Sequence, residues 1–197
     1  RFNEYKVAER FFGIVVRCAQ RKGLISEEHF SADGTQIEAW ASMKSVRRKD
    51  KTDTDRDDKP QDFRGEKFSN ETHQSITDPD ARFARKGPGK ETKLSYHGNM
   101  LIDNRGGFCI EAEVVHASGT AEYEGMERMV KAAQKNGFDI KTVGADKNYH
   151  TQRMVSFCKG CSITPHFAIR SDRQTVGLDK RTTNSVAYAK SLACRPQ

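Results

Sequence analysis

The sequence predicts a mixed α/β fold built on a sheet with flanking helices, and three observations carry that expectation. Short apolar runs with β-like patterning recur at 29–33, 93–103, 108–117, 138–145 and 163–169. Two of them flank Asn104-Arg105-Gly106-Gly107, a strong hairpin signal. The later runs alternate with segments of helical period, so an antiparallel opening passes into helix-linked parallel strands.

In order along the chain, Val7, Phe11, Phe12, Val15, Val16 and Ala19 repeat at helical spacing, and Lys22-Gly23 supplies a stop. This predicts an amphipathic helix over Val7–Arg21. A short strand, His29–Asp33, is expected to end at Gly34-Thr35, and Ile37 to Ser45 reads as a further helical turn or two with Trp40 buried. Residues 46–92 differ in kind: Lys49 to Lys59 is a mixed charge run that cannot bury enough apolar surface to offset its ordering entropy, which predicts a long polar insertion. The hairpin strands Lys93–Asp103 and Phe108–Ala117 follow, with Glu111 and Glu113 on one face and expected to meet solvent. Tyr123–Lys135 reads as a helix with Met126, Met129, Val130 and Ala133 inward, stopped by Asn136-Gly137. Phe138–Ala145, Thr151–Lys159 and Ile163–Ile169 complete the pattern as strand, helix and strand.

A chain of 197 residues suits one domain, but with 35% hydrophobic and 31% charged residues part of it is expected to pack poorly or to lie on a charged partner. The net charge of +7 is uneven: residues 94–127 carry −5 and residues 128–197 carry +9. Basic charge gathered around acidic ligands reads as a polyanion surface, with Arg170, Arg173, Lys180 and Arg181 as one cluster. Arg82, Arg85 and Lys86 in the insertion suit phosphate contact as well, and the same segment reads equally well as a solvated loop. Five irregularly spaced cysteines, no signal-peptide pattern and no long apolar run predict a reduced, intracellular chain without a membrane span.

Asp33 in His29-Phe30-Ser31-Ala32-Asp33-Gly34-Thr35 and Asp146 in Val143-Gly144-Ala145-Asp146-Lys147 each come after a β-like run and precede a turn. A lone aspartate there caps its turn. As a pair, delivered by strands far apart in sequence, the two make ligands for a hard divalent cation if the strands are neighbours. A third acid is hard to find: after Glu127 there is no Glu, and beyond Asp146 the acids are Asp172 and Asp179. Cys158-Lys159-Gly160-Cys161 with His150 and His166 offers half a zinc pattern against the plainer reading of two buried thiols. His97 and His116 read as strand histidines.

Several longer motifs then fall in a familiar order: Phe30 to Ser42, Phe68-Ser69-Asn70-Glu71-Thr72-His73, Thr77-Asp78-Pro79-Asp80-Ala81-Arg82, Arg85-Lys86-Gly87-Pro88-Gly89-Lys90 and Gly144-Ala145-Asp146-Lys147. Together they resemble an insertion-sequence transposase of the DDE superfamily, over about Val7 to Ala189. The resemblance implies a ribonuclease-H-like catalytic core at 29–189 with the insertion at about 46–92, after an N-terminal helical segment at 1–28 and before a tail at 190–197 outside the family pattern. It implies two Mg²⁺ (or Mn²⁺) ions held by Asp, Asp and Glu, and double-stranded DNA, both transposon ends and target, as partner. Carried over by position, Asp33 and Asp146 match the first and second catalytic and metal-binding acids, with Lys147 beside the second among the nucleic-acid contacts. A cytoplasmic, nucleoid-associated location and homo-oligomeric assembly belong to the same expectation.

The departures from the family pattern are specific. Asn148 stands where relatives carry Gly and His150 where they carry an acid. After the segment Arg181-Thr182-Thr183 to Tyr188-Ala189, relatives continue into a helix bearing the catalytic Glu, whereas here the chain runs on as Lys190 to Gln197. The expectation is an incomplete transposase, inactive alone, with two alternatives: a non-catalytic DNA-binding derivative, or a nuclease using Asp172 or Asp179 as third acid.

Overall fold

The computed structural model describes residues 4–50, 68–87, 89–168, 186 and 189. The fold is mixed α/β, a mixed sheet with flanking helices. Its elements are α1 (Val7–Arg21), β1 (His29–Glu38), β2 (Val46–Arg48), β3 (His73–Ser75), β4 (Arg82–Ala84), β5 (Lys93–Asp103), β6 (Cys109–His116), α2 (Ala121–Lys135), β7 (Thr142–Ala145), α3 (Gln152–Gly160) and β8 (Thr164–Phe167). The chain divides into two compact units, Arg1–Asp33 with Asn99–Glu113 and Tyr123–Gln197, and Gly34–Gly98 with Val114–Glu122.

In the first unit β5, β1, β7 and β8 lie side by side in that order, with β6 on the far side of β5. Both β1 with β7 and β7 with β8 run parallel. The crossover that makes the second pair parallel is α3, which carries buried Met154, Val155 and Cys158 onto a core that also holds Phe30, Leu101, Met126, Val130, Val143 and Phe167. Each described helix ends in the same way, by a Schellman closure. In α1 the Leu24 N–H reaches Ala19 O (3.0 Å), in α2 Phe138 N–H reaches Ala133 O (3.1 Å) and in α3 Ile163 N–H reaches Cys158 O (2.8 Å). The left-handed residue each closure needs is Gly23 (φ 65°), Gly137 (φ 92°) and, without a glycine, Ser162 (φ 60°).

The second unit pairs β4 antiparallel to the start of β5, Arg82 opposite Ser95, and β2 antiparallel to β3, Val46 opposite Ser75. Its apolar core is small: Val46, Ala81 and Leu94, with Phe68, Phe83 and Tyr96 packed at the edge.

Four sequence expectations are corrected here. The first strand does not stop at Asp33 but runs to Glu38, because the ladder to β5 holds it extended; Ala39 N–H donates to Leu94 O at 2.9 Å and the Gln36 amide donates to Ser95 Oγ at 2.9 Å. Trp40 lies on no helix and is 99% exposed. Phe138 and Ile140 are buried in the loop leading to β7, which begins only at Thr142, so core burial rather than strand pairing accounts for those apolar residues. Within the segment expected to be an irregular insertion, the described residues contain β2, β3 and β4.

Candidate two-carboxylate site

Side chains alternate across a strand, so Phe30, Ala32 and Val143, all buried in the core, send His29, Ser31 and Asp33 on β1, and Thr142 and Gly144 on β7, to the opposite face. The register pairs His29 with Thr142, Phe30 with Val143 and Ser31 with Gly144. The first row is closed by a hydrogen bond, His29 Nδ1 to Thr142 Oγ1 at 2.8 Å. In the second row the space beside Gly144 is tight, since a Cβ there would lie 3.1 Å from Ser31 Oγ.

Asp33 and Asp146 each come two residues after that last pair. Asp146 keeps extended backbone (φ −69°, ψ 176°) just past the end of β7, and Asp33 lies within β1, so strand alternation puts the two residues at positions of the same face. Adjacent strands are about 4.8 Å apart, a spacing that one cation can bridge through two carboxylates. Both residues are exposed.

Asp146 is held in place by the turn it starts. One carboxylate oxygen accepts the Asn148 N–H at 2.7 Å and caps a 3-10 turn over Lys147–Tyr149. Tyr149 anchors that turn in the core, 5.8 Å and edge-on from Tyr123, whose hydroxyl donates to Asn148 O at 3.2 Å. The turn is therefore fully tied with Asn148 in it. An aspartate that caps its own turn and an aspartate that serves as a ligand are both compatible with this geometry, because the cap uses Oδ1.

Two hard oxygen donors on rigid strands fit part of a divalent-metal site, and Asp33 and Asp146 are the residues that would hold it. Among the described residues no group of three or more His, Cys, Asp or Glu is arranged to hold a metal ion. That covers the combination of Cys158, Cys161, His150 and His166. Cys158 is buried, and burial first, with the neighbouring Cys161, pushes its thiol up to about 12, as expected of an inert core thiol. Asp172 and Asp179 lie outside the described residues, as do Arg170, Arg173, Lys180 and Arg181.

Of the remaining basic candidates, Lys147 is exposed directly after Asp146. Arg85 and Lys86 are exposed after β4 in the second unit, whereas Arg82 is half-buried with its guanidinium donating to Pro79 O at 2.8 Å, which ties the Asp78–Arg82 turn. Glu111 and Glu113 do not face solvent as expected. Arg128 donates to both oxygens of Glu113 (2.9 and 2.8 Å), and Asn136 donates to Glu111 at 2.9 Å, where burial raises the Glu111 carboxyl above its ordinary range. Of the row beneath the carboxylates, His29, Ser31 and Thr142 were not singled out from the sequence. Its signal was present as polar or small residues at alternate positions, His29-x-Ser31-x-Asp33 and Thr142-x-Gly144-x-Asp146.

Among the described residues no helix is long and apolar enough to cross a membrane. Comparison of the chain with family models, with curated proteins and with solved structures finds no match.

Proposed function

We propose that this chain carries the ribonuclease-H-like core of a DDE-type insertion-sequence transposase, acting on double-stranded DNA with Mg²⁺ or Mn²⁺. The observation that carries the reading is that Asp33, within β1, and Asp146, just after β7, each come two residues beyond the last pair of these neighbouring parallel strands, at the two positions where the sequence resembles that family. Divalent ions bound there would stabilise charge on the attacking and leaving oxygens of a phosphoryl transfer. The chain's own contribution is to fix two oxygen donors on rigid strands, to hold the second by its turn, and to set Lys147 beside it for a phosphate. No Glu comes after Glu127, and the reading leaves the third acid of such a site unassigned.

The test is Mn²⁺ binding measured by electron paramagnetic resonance, together with cleavage of labelled transposon-end DNA. Bound Mn²⁺ that is lost in Asp33→Asn and in Asp146→Asn supports the site, and equal binding by all three proteins overturns it. Cleavage that is abolished in both variants supports the catalytic reading. A second reading is a non-catalytic DNA-binding protein derived from such an enzyme, in keeping with the lack of a metal-holding group of three among the described residues; DNA binding with a steep salt dependence and no metal requirement would select it.

A further inference from the structure

A hollow of about 270 Å³ in the first unit shares no residue with the carboxylate pair; it lies among α1, β6 and the turn that follows α2. The wall from α1 includes Phe12, Gly13, Val16, Arg17 and Gln20, residues three and four apart and so on one face of the helix. Ile110 and Phe138, both buried, add apolar surface to the lining, and Glu111 and Asn136 complete it with polar groups.

Two charges in this lining meet no opposite charge among the described residues. The half-buried Glu111 carboxylate accepts one hydrogen bond, from the neutral Asn136 amide at 2.9 Å, and burial that no cation offsets holds its carboxyl above the ordinary range. The Arg17 guanidinium rests against Gly13 instead of a carboxylate; a Cβ at Gly13 would lie 3.3 Å from Arg17 Nη1. A glycine inside a helix costs about 1 kcal/mol against alanine, and this one leaves the guanidinium its place in the wall. An anion and a cation therefore line one hollow without bonding each other. An anionic ligand would leave Glu111 without a cation, and a cationic one would leave Arg17 as it is. A small molecule with both charges and an apolar body satisfies the whole lining, and the volume suits nothing larger. We propose that this hollow binds a free amino acid with an apolar side chain, its ammonium on Glu111, its carboxylate on Arg17 and its side chain against Phe12, Ile110 and Phe138. The plainer role of Glu111 is to tie β6 to the end of α2 through Asn136, and a glutamine would keep that bond. The negative charge is needed only for a ligand.

The test is isothermal titration calorimetry of the full chain, without DNA or divalent ions, so its outcome is separate from that of the transposase reading. L-leucine and L-phenylalanine are the probes, with isoamylamine and isocaproate as the leucine skeleton carrying only the ammonium or only the carboxylate, and L-serine as the same charges without the apolar body. Saturable binding of leucine or phenylalanine is expected, with the two analogues and serine each weaker by about tenfold or more. Glu111→Gln should weaken leucine binding about tenfold without weakening that of isocaproate. Arg17→Gln, at an exposed position, should weaken leucine binding to a similar degree without weakening that of isoamylamine. No saturable binding of leucine or phenylalanine up to about 10 mM overturns the proposal, as does binding of isoamylamine or isocaproate as tight as that of leucine, or leucine binding unchanged in both variants. Should Glu111→Gln fail to fold, unchanged leucine binding in Arg17→Gln overturns it instead.

Discussion

The two units solve the problem of staying folded by different means. The first buries a continuous core of Phe30, Leu101, Met126, Val143, Met154, Phe167 and their neighbours. The second has a small apolar cluster of Val46, Ala81 and Leu94 and relies on directed hydrogen bonds. Ser75 Oγ accepts the N–H groups of Thr77 (3.1 Å) and Asp78 (3.0 Å) and meets Ser45 Oγ at 2.7 Å, while Tyr96 donates to Asp78 at 2.7 Å. Asp33 and Asp146 belong to the well-packed unit, and a polar, aromatic groove beside Phe68, Phe83 and Arg85 is built on the hydrogen-bonded one. Apolar truncation should therefore damage the first unit most, and loss of a single polar group should damage the second.

The largest effect expected from this contrast is Phe30→Ala, a cavity in the first core, at about 3–5 kcal/mol by urea denaturation. Val46→Ala in the second unit should cost about 2 kcal/mol, and equal losses would erase the contrast. Next comes Asn70→Ala, which leaves both backbone groups of Phe83 without their partner and should cost about 1–3 kcal/mol. It should appear as faster hydrogen exchange at the Phe83 amide with that of Val143 unchanged.

The pH limits should split along the same line. Burial opposes ionisation of Asp103, but the Ser26 hydroxyl and the backbone N–H groups of Gly106, Ser26 and Arg105 outweigh it and hold the carboxyl below its ordinary value. A group depressed by folding contributes fully above its unfolded pKa, about 4, and loses that contribution as pH falls through the lower folded value. Asp103→Asn should therefore remove part of the acid-side dependence of the first unit. In the second unit the hydrogen bond to Asp78, then burial, then the charges of Asp78 and Asp80 push the Tyr96 hydroxyl up to about 12. A raised group contributes fully below its unfolded pKa, about 10, and is lost as pH rises through the folded value. Tyr96→Phe should cost about 1 kcal/mol at neutral pH and flatten the alkaline limb. The smallest change is a gain: Ser162→Gly removes the penalty of a side chain in the left-handed region at the α3 closure and should stabilise the first unit by up to about 1 kcal/mol, read as a raised Tm.

Much of this architecture was legible in the chain because its signals are local. The apolar spacing of α1 and α2 and the glycines that stop them predicted those helices, and the Asn104 to Gly107 turn predicted the β5 and β6 hairpin. The candidate site was legible as a condition: if the first strand lies beside the 138–145 run, Asp33 and Asp146 emerge together. What misled was Asp33-Gly34-Thr35, read as a turn although the residues continue in β1, since a turn-forming composition yields where a neighbouring strand supplies a hydrogen-bonded ladder. Glu111 and Glu113 were sent to solvent by strand alternation alone, which contains nothing about the helix that meets them.

The sequence by itself determined where the helices start and stop, the hairpin, the uneven charge, and the polar alternation that leads to each aspartate. Tertiary structure alone decided that β1 lies beside β7 in a register that pairs Ser31 with Gly144, two residues before each acid, and that Phe68 and Phe83 come together across a bond from Asn70. The reason is that helix periodicity and turn chemistry are written within a few residues, whereas strand pairing joins partners such as His29 and Thr142, 113 residues apart, through backbone groups that every residue shares.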